Sequence, residues 1–199
     1  AYGRGLLRGI SRYARLHGPW EMYGDQERII MPIEDLSRWR GDGMIVQHMR
    51  PELDALVSRN AWPVINVSDH EAAGRFVSVI PANAELGRLA ARHFYERGYR
   101  NFGYCGFSGA NHSRVRGDSF AVTAASMGCT CTQIEGAGWQ WDPQRWPERH
   151  AEIAAWIRAL PRPVGVFCCN DVRARHVAQI CVDIGVRVPE EVALLGVDN

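Results

Sequence analysis

The sequence predicts an α/β fold of parallel sheets joined by crossover helices, and three observations predict it. Short apolar runs such as Met44-Ile45-Val46 and Val164-Gly165-Val166-Phe167-Cys168-Cys169 recur along the chain. Amphipathic stretches of about 12–15 residues separate them, the spacing of βαβ units. Gly, Pro or Asn-Asp marks the junctions, where helices start and stop.

Taken in order, Arg4 to Leu16 is the first helix, with Leu6, Leu7, Ile10, Tyr13 and Ala14 on one face and Gly18-Pro19 ending it. Trp20 to Tyr23 is read as a strand, and Ile33 to Arg40 as a short helix. Gly41-Asp42-Gly43 turns into the run Met44 to Val46. Pro51 opens a helix to Asn60, since Pro suits a first helical position. Strands are expected at Pro63–Val67 and Phe76–Ile80. Residues 83 to 97 form the clearest helix, with Leu86, Leu89, Ala90, His93 and Phe94 on one face and Gly98 as its stop. His93 there reads as a packed histidine.

The second half repeats the cycle. Asn101 to Cys105 is a strand, Gly106 to Ser113 a polar loop, and Arg114 to Met127 a helix. Gly136 to Pro147 lacks periodicity and holds Trp139, Trp141 and Trp146, either an aromatic sugar platform or a loop packed on the core, with packing preferred. Then come a helix over 147–160, the strand Val164 to Cys169, a helix opened by Asn170-Asp171 and stopped at Gly185, and a last strand from Val192 to Val197.

Composition bounds the function. The chain has 199 residues, 23 Lys+Arg against 22 Asp+Glu, and 46% hydrophobic content, the profile of an ordinary globular protein. A net charge of +1 excludes a strongly basic stripe able to hold a phosphate backbone by itself. Every basic residue is Arg, which is read as coding bias rather than as a set of anion contacts. The opening residues have neither a basic nor a continuous apolar region, so no signal peptide is expected. No run approaches the roughly 18 apolar residues of a membrane span. The sequence reads as cut at both ends, a piece of a longer chain. The six cysteines follow no Cys-x-x-Cys spacing, so neither a metal site nor a disulfide framework is expected, and the compartment is read as cytoplasmic.

Ligands of open parallel sheets bind beyond the carboxyl ends of the strands. Three strands here end in polar groups: Cys105 before the 106–113 loop, Cys169 before Asn170-Asp171, and Val197 before Asp198-Asn199. Arg116 falls on the first turn of the helix after the first of these. Two carboxylates and a guanidinium make a polyol site, because carboxylates accept from hydroxyls and the guanidinium fork donates to vicinal oxygens. Asp171 is either a ligand or a helix cap; Asn170 as cap would free it.

Enzyme readings fare worse. Gly106-Phe107-Ser108-Gly109-Ala110 resembles a nucleophile elbow, but His176, the only histidine after Asp171, lies inside the following helix and cannot flank Ser108. Gly103-x-x-Gly106-x-x-Gly109 is not a dinucleotide fingerprint. Metal spacing is absent among the seven His. No enzyme, cofactor or metal is therefore expected.

Several blocks carry a family resemblance. Asp42-Gly43-Met44-Ile45-Val46, the helix and crossover from Leu86 to Phe102, and Arg116 with Phe120 (Ser119 standing where a Gly is usual) resemble the ligand domains of the lactose-repressor (LacI/GalR) family. So do Asn170-Asp171 with Ala174, Gly185 to Glu190, and Leu195-Gly196-Val197-Asp198. Within it, Leu160-Pro161, Asp171 to His176, Val197 to Asn199 and Ala1 to Arg4 are similar to the xylose-operon regulator subgroup. One departure is Ala82-Asn83, where the family usually has Asp-Asn.

The resemblance implies a type I periplasmic-binding-protein-like fold: two Rossmann-like subdomains, here 1–98 and 99–199, with a sugar in the cleft and hinge closure. It implies Arg116, Asp171 and Asp198 as sugar ligands, with Asn170 beside them and Tyr2 at the mouth. It implies a bacterial transcription regulator sensing a pentose-like sugar, xylose favoured, acting as a homodimer. That regulator reads DNA through a helix-turn-helix module outside these residues and has no membrane association. A sugar-binding protein of a transport system is the alternative kept.

Overall fold

A computed structural model of the chain describes residues 2–23, 36, 39–47, 51–69, 76–136 and 146–198. They fall into two compact units, Ala1–Ile80 and Pro81–Asn199.

The first unit contains helix α1 (Tyr2–His17), strand β1 (Met44–Val46), helix α2 (Pro51–Asn60) and strands β2 (Val64–Asn66) and β3 (Val77–Ser78). The strands form a parallel sheet in the order β1-β2-β3, with Met44 opposite Val64 and Ile65 opposite Val77. Its core is small: Val46 and Val64 meet Leu53 and Val57 of α2, with Trp62 and Phe76 at the margin. The strand expected at Trp20–Tyr23 is not formed. Trp20, Met22 and Tyr23 are exposed there, so the apolar run has no core face to cover. The expected strands at 63–67 and 76–80 shrink to β2 and β3. The helix expected over 33–40 lies largely outside the described residues.

The second unit holds the larger sheet. Its elements are α3 (Asn83–Glu96), β4 (Asn101–Phe107), α4 (Asn111–Ser126), β5 (Thr130–Gly136), α5 (Trp146–Ala159), β6 (Val164–Cys168), α6 (Asp171–Asp183) and β7 (Val192–Leu195). The four strands are all parallel in the order β5-β4-β6-β7, as βαβ crossovers require. β6 is buried along its whole length, and its residues alternate between two cores. Phe167 joins Phe102, Tyr104, Phe94 and Phe120 on the face covered by α3 and α4. Val164, Val166 and Cys168 join Ile153, Ile157, Val177 and Ile180 under α5 and α6. Phe120 is the hinge of the aromatic core, 5.3 Å from the Phe167 ring and 5.5 Å from that of Phe102.

Where the sequence divides the chain after residue 98, the division between compact units falls at Ile80 and Pro81. The helix between the two positions, α3, buries Ala90, Ala91 and Phe94 in the second unit's core. Its Gly87 lies against α4, where a β-carbon would stand 2.4 Å from the Arg116 carbonyl oxygen, so only glycine permits this helix contact.

Two further differences matter for the site. Helix α4 begins at Asn111 rather than Arg114, shortening the expected 106–113 loop and placing Arg116 in the second helical turn. The polar residues that read as loop are absorbed locally: Phe107 N donates to Ser113 Oγ at 2.8 Å, and Tyr104 Oη donates to the Ser113 carbonyl at 2.6 Å. Strand β5 has no apolar run to announce it in the sequence, and six of its seven residues keep partial or full exposure at the sheet edge. The Trp139 and Trp141 platform lies outside the described residues.

Candidate functional site

The carboxyl ends of β4, β6 and β7 and the starts of α3, α4 and α6 meet at one end of the second unit's sheet. Arg116 is at their centre and only 3% exposed. Its Nε donates to Asn83 Oδ1 at 2.9 Å, and its Nη1 donates to the Cys169 carbonyl just past β6. The remaining nitrogen, Nη2, stands 3.7 Å from Asp198 Oδ1. That distance is an ion pair rather than a hydrogen bond.

Asp198 follows β7 with φ of 104°, a left-handed conformation that a non-glycine residue adopts only under tertiary constraint. Burial pushes its carboxyl above the usual Asp range; Arg116 opposes that shift and Asp171 adds to it. The two acids are therefore neighbours. Asp171, the first residue of α6, is tied to the β7 end by its backbone N–H, which donates to the Val197 carbonyl at 2.9 Å. Its carboxylate leans over Gly196, where a β-carbon would lie 2.3 Å from Asp171 Oδ1.

Asn170 is the helix cap. Its Oδ1 accepts from the Arg173 backbone N–H at 2.8 Å, which satisfies one orphan donor of the first turn and leaves the Asp171 side chain uncommitted to capping. Tyr2 opens α1 in the first unit, and its side chain lies outside the described structure. Of the expected set, Arg116, Asp171 and Asp198 are thus brought together, Asn170 is adjacent through its cap, and Tyr2 has no described place among them.

Two residues at this end escaped sequence reasoning. Asn83 carries no signal in the sequence beyond the Ala82-Asn83 departure, yet it orients Arg116. Arg173 is 3% exposed, and its guanidinium carbon lies 4.0 Å from the centre of the Phe107 ring. No periodic signal separates a buried helical arginine from a solvated one. Among the described residues no group of three or more His, Cys, Asp or Glu side chains is arranged to hold a metal ion. Ser108 anchors the loop through its backbone, donating to the Gly136 carbonyl at 3.0 Å. Burial raises the thiols of Cys105 and Cys169, to about 12 and about 11, so they stay neutral. Such a site offers charge-assisted hydrogen bonds to a small oxygen-rich ligand.

The model of a family described as periplasmic binding protein-like domain matches residues 91–199. The xylose operon regulatory protein of Escherichia coli (strain K12) is 25% identical over 210 residues, covering 100% of this chain and 52% of the relative. The xylose operon regulatory protein of Haemophilus influenzae (strain Rd) is 27% identical over 206 residues, with the same shares covered. The chain therefore spans about half the length of the curated relatives it matches. A solved structure of the xylose-binding transcription activator xylR superposes with a TM-score of 0.83 at 24% identity, over 100% of this chain and 51% of that one. Among the described residues no helix is long and apolar enough to cross a membrane.

Proposed function

The chain belongs to the periplasmic binding protein-like domain family, and from that membership we propose that it is the ligand-sensing domain of a bacterial DNA-binding transcription regulator, taking a pentose-like sugar, xylose foremost. The observation that carries this reading is the Arg116–Asp198 pair with Asp171 beside it. Arg116 is held by Asn83 and Cys169, so its orientation is set before any ligand arrives. Its Nη2 faces Asp198 across 3.7 Å without a hydrogen bond between them. A sugar hydroxyl donates to a carboxylate while its oxygen accepts from the guanidinium, so neighbouring hydroxyls read both charges at once. The similarity to two xylose operon regulatory proteins supports xylose over other polyols.

In this reading no bond is made or broken. The sugar stabilises one arrangement of the domain by its differential affinity, and that shift alters operator binding by a helix-turn-helix module of the complete regulator, acting as a homodimer in the cytoplasm. Tyr2 at the mouth of the site completes the proposed arrangement.

Calorimetric titration of the purified chain with D-xylose, D-ribose, L-arabinose and D-glucose tests the sensor. Saturable binding of a pentose, lost in Asp171→Ala and Arg116→Ala variants that still melt cooperatively, is the expected result. Absence of pentose binding, or binding indifferent to both substitutions, overturns it. Operator binding by the complete regulator, measured with and without xylose, tests the coupling, and an unchanged operator affinity sinks it.

A further inference from the structure

Arg173 is a second buried guanidinium at this end of the sheet, and it lacks the carboxylate that Arg116 faces. It sits in the first turn of α6, one turn from Asn170, with only 3% of its surface exposed. Phe107, the last residue of β4, covers one face of the guanidinium at 4.0 Å. Gly136, the last residue of β5, packs against the guanidinium, and only the missing side chain lets it fit: a β-carbon there would stand 3.1 Å and 3.2 Å from the two Nη atoms and 3.4 Å from Cζ. Arg173 Nε has no hydrogen-bond partner, and among the described residues no carboxylate forms an ion pair with the side chain. The groups that feel its charge are the thiols of Cys105, Cys168 and Cys169 and the imidazole of His176, none of them a carboxylate.

A guanidinium does not deprotonate in a protein, so burial cannot relieve this charge by neutralising it. The positive end of α6 adds to the field rather than cancelling it. With one face stacked on Phe107 and the Nη atoms beside Gly136, the unpartnered Nε–H is the donor that an oxyanion would satisfy with a charge-assisted hydrogen bond.

We propose that Arg173, backed by Phe107 and given room by Gly136, is an oxyanion-binding subsite that takes a carboxylate or phosphate group. The anion comes either free, as an inorganic ion, or as the acid group of an oxidised sugar whose hydroxyls occupy the Arg116–Asp171–Asp198 site. The subsite rests on the surroundings of Arg173 and does not require that the neutral pentose be the effector.

The test compares melting temperatures of the purified chain in chloride, inorganic phosphate and D-xylonate at equal ionic strength, with D-xylose as the neutral control. A saturable upward shift with phosphate or xylonate is expected, and it should vanish in Arg173→Met, which keeps most of the volume. A shift with phosphate identifies a free anion; a shift with xylonate alone identifies a sugar acid. In the unsubstituted chain the Arg173 Nε–H resonance should move saturably with the same anion, so the test survives even if Arg173→Met does not fold. No saturable anion response, or one undiminished in Arg173→Met, overturns the subsite. Loss of D-xylose binding in Asp171→Ala reports on the pentose reading instead, so the two failures are separable.

Discussion

Arg116 Nε donates to Asn83 Oδ1 at 2.9 Å, and both side chains are buried. The bond joins the start of α3 to the second turn of α4 and leaves the guanidinium no freedom to swing away from Asp198. Asn83→Ala strands a buried charged donor, so it should cost about 1–3 kcal/mol of folding stability in denaturant titration. Asn83→Asp, which restores an acceptor, should recover most of the loss. Equal stability of Asn83→Ala and the unsubstituted chain would show that the bond contributes nothing.

Asn170 and Asp171 are adjacent in sequence and should separate cleanly by measurement. Asn170→Ala removes the cap on Arg173 N and should cost on the order of 1 kcal/mol. Asp171→Ala loses only a favourable first-turn charge, about 0.3–1 kcal/mol, yet should abolish the xylose-induced melting shift. The reverse pattern would assign Asp171 to capping and remove it from the proposed site.

Gly196→Ala offers a test that substitutes no polar site residue. The added methyl would lie 2.3 Å from Asp171 Oδ1, so the carboxylate must turn aside. Xylose affinity should fall at least roughly tenfold, or about 1.4 kcal/mol, with cooperative melting retained. Unchanged affinity would mean that ligand binding does not use this position of Asp171.

Asp198 makes the site sensitive to pH. Burial first, then Asp171, raises its pKa against the pull of Arg116. A raised carboxyl favours the neutral form in the folded chain, so its contribution to stability is present in acid and is lost as pH rises through the folded value. Sugar binding has the opposite requirement, since the ionised carboxylate is the acceptor. Xylose affinity should therefore fall on acidification at a higher pH than an ordinary Asp, near 3.9, would give. Titrations between about pH 4 and 7 should show the fall, and Asp198→Asn should flatten it.

The order of elements in the second unit was legible because βαβ punctuation is local. The run Val164 to Cys169, the Asn170 start of α6 and the Gly185 stop all carry their signals within a few residues. Strand β5 was not legible. Thr130, Thr132, Gln133 and Glu135 are exposed at the sheet edge, so the strand lacks the apolar run that marks β4 and β6. Trp20 to Tyr23 misled in the other direction, since apolar side chains predict a strand only when a core exists to cover them.

The sequence by itself determined the alternation of strands and helices and the charged residues that follow strand ends, because hydrophobic period, caps and stops act over short stretches of chain. Only the tertiary structure decided which charges are neighbours. Arg116 reaches Asn83 across 33 positions and Cys169 across 53, and Arg173 meets Phe107 and Gly136 from other elements. Such contacts depend on strand order and helix packing, and a guanidinium buried against a ring leaves the same mark in a sequence as one standing in water.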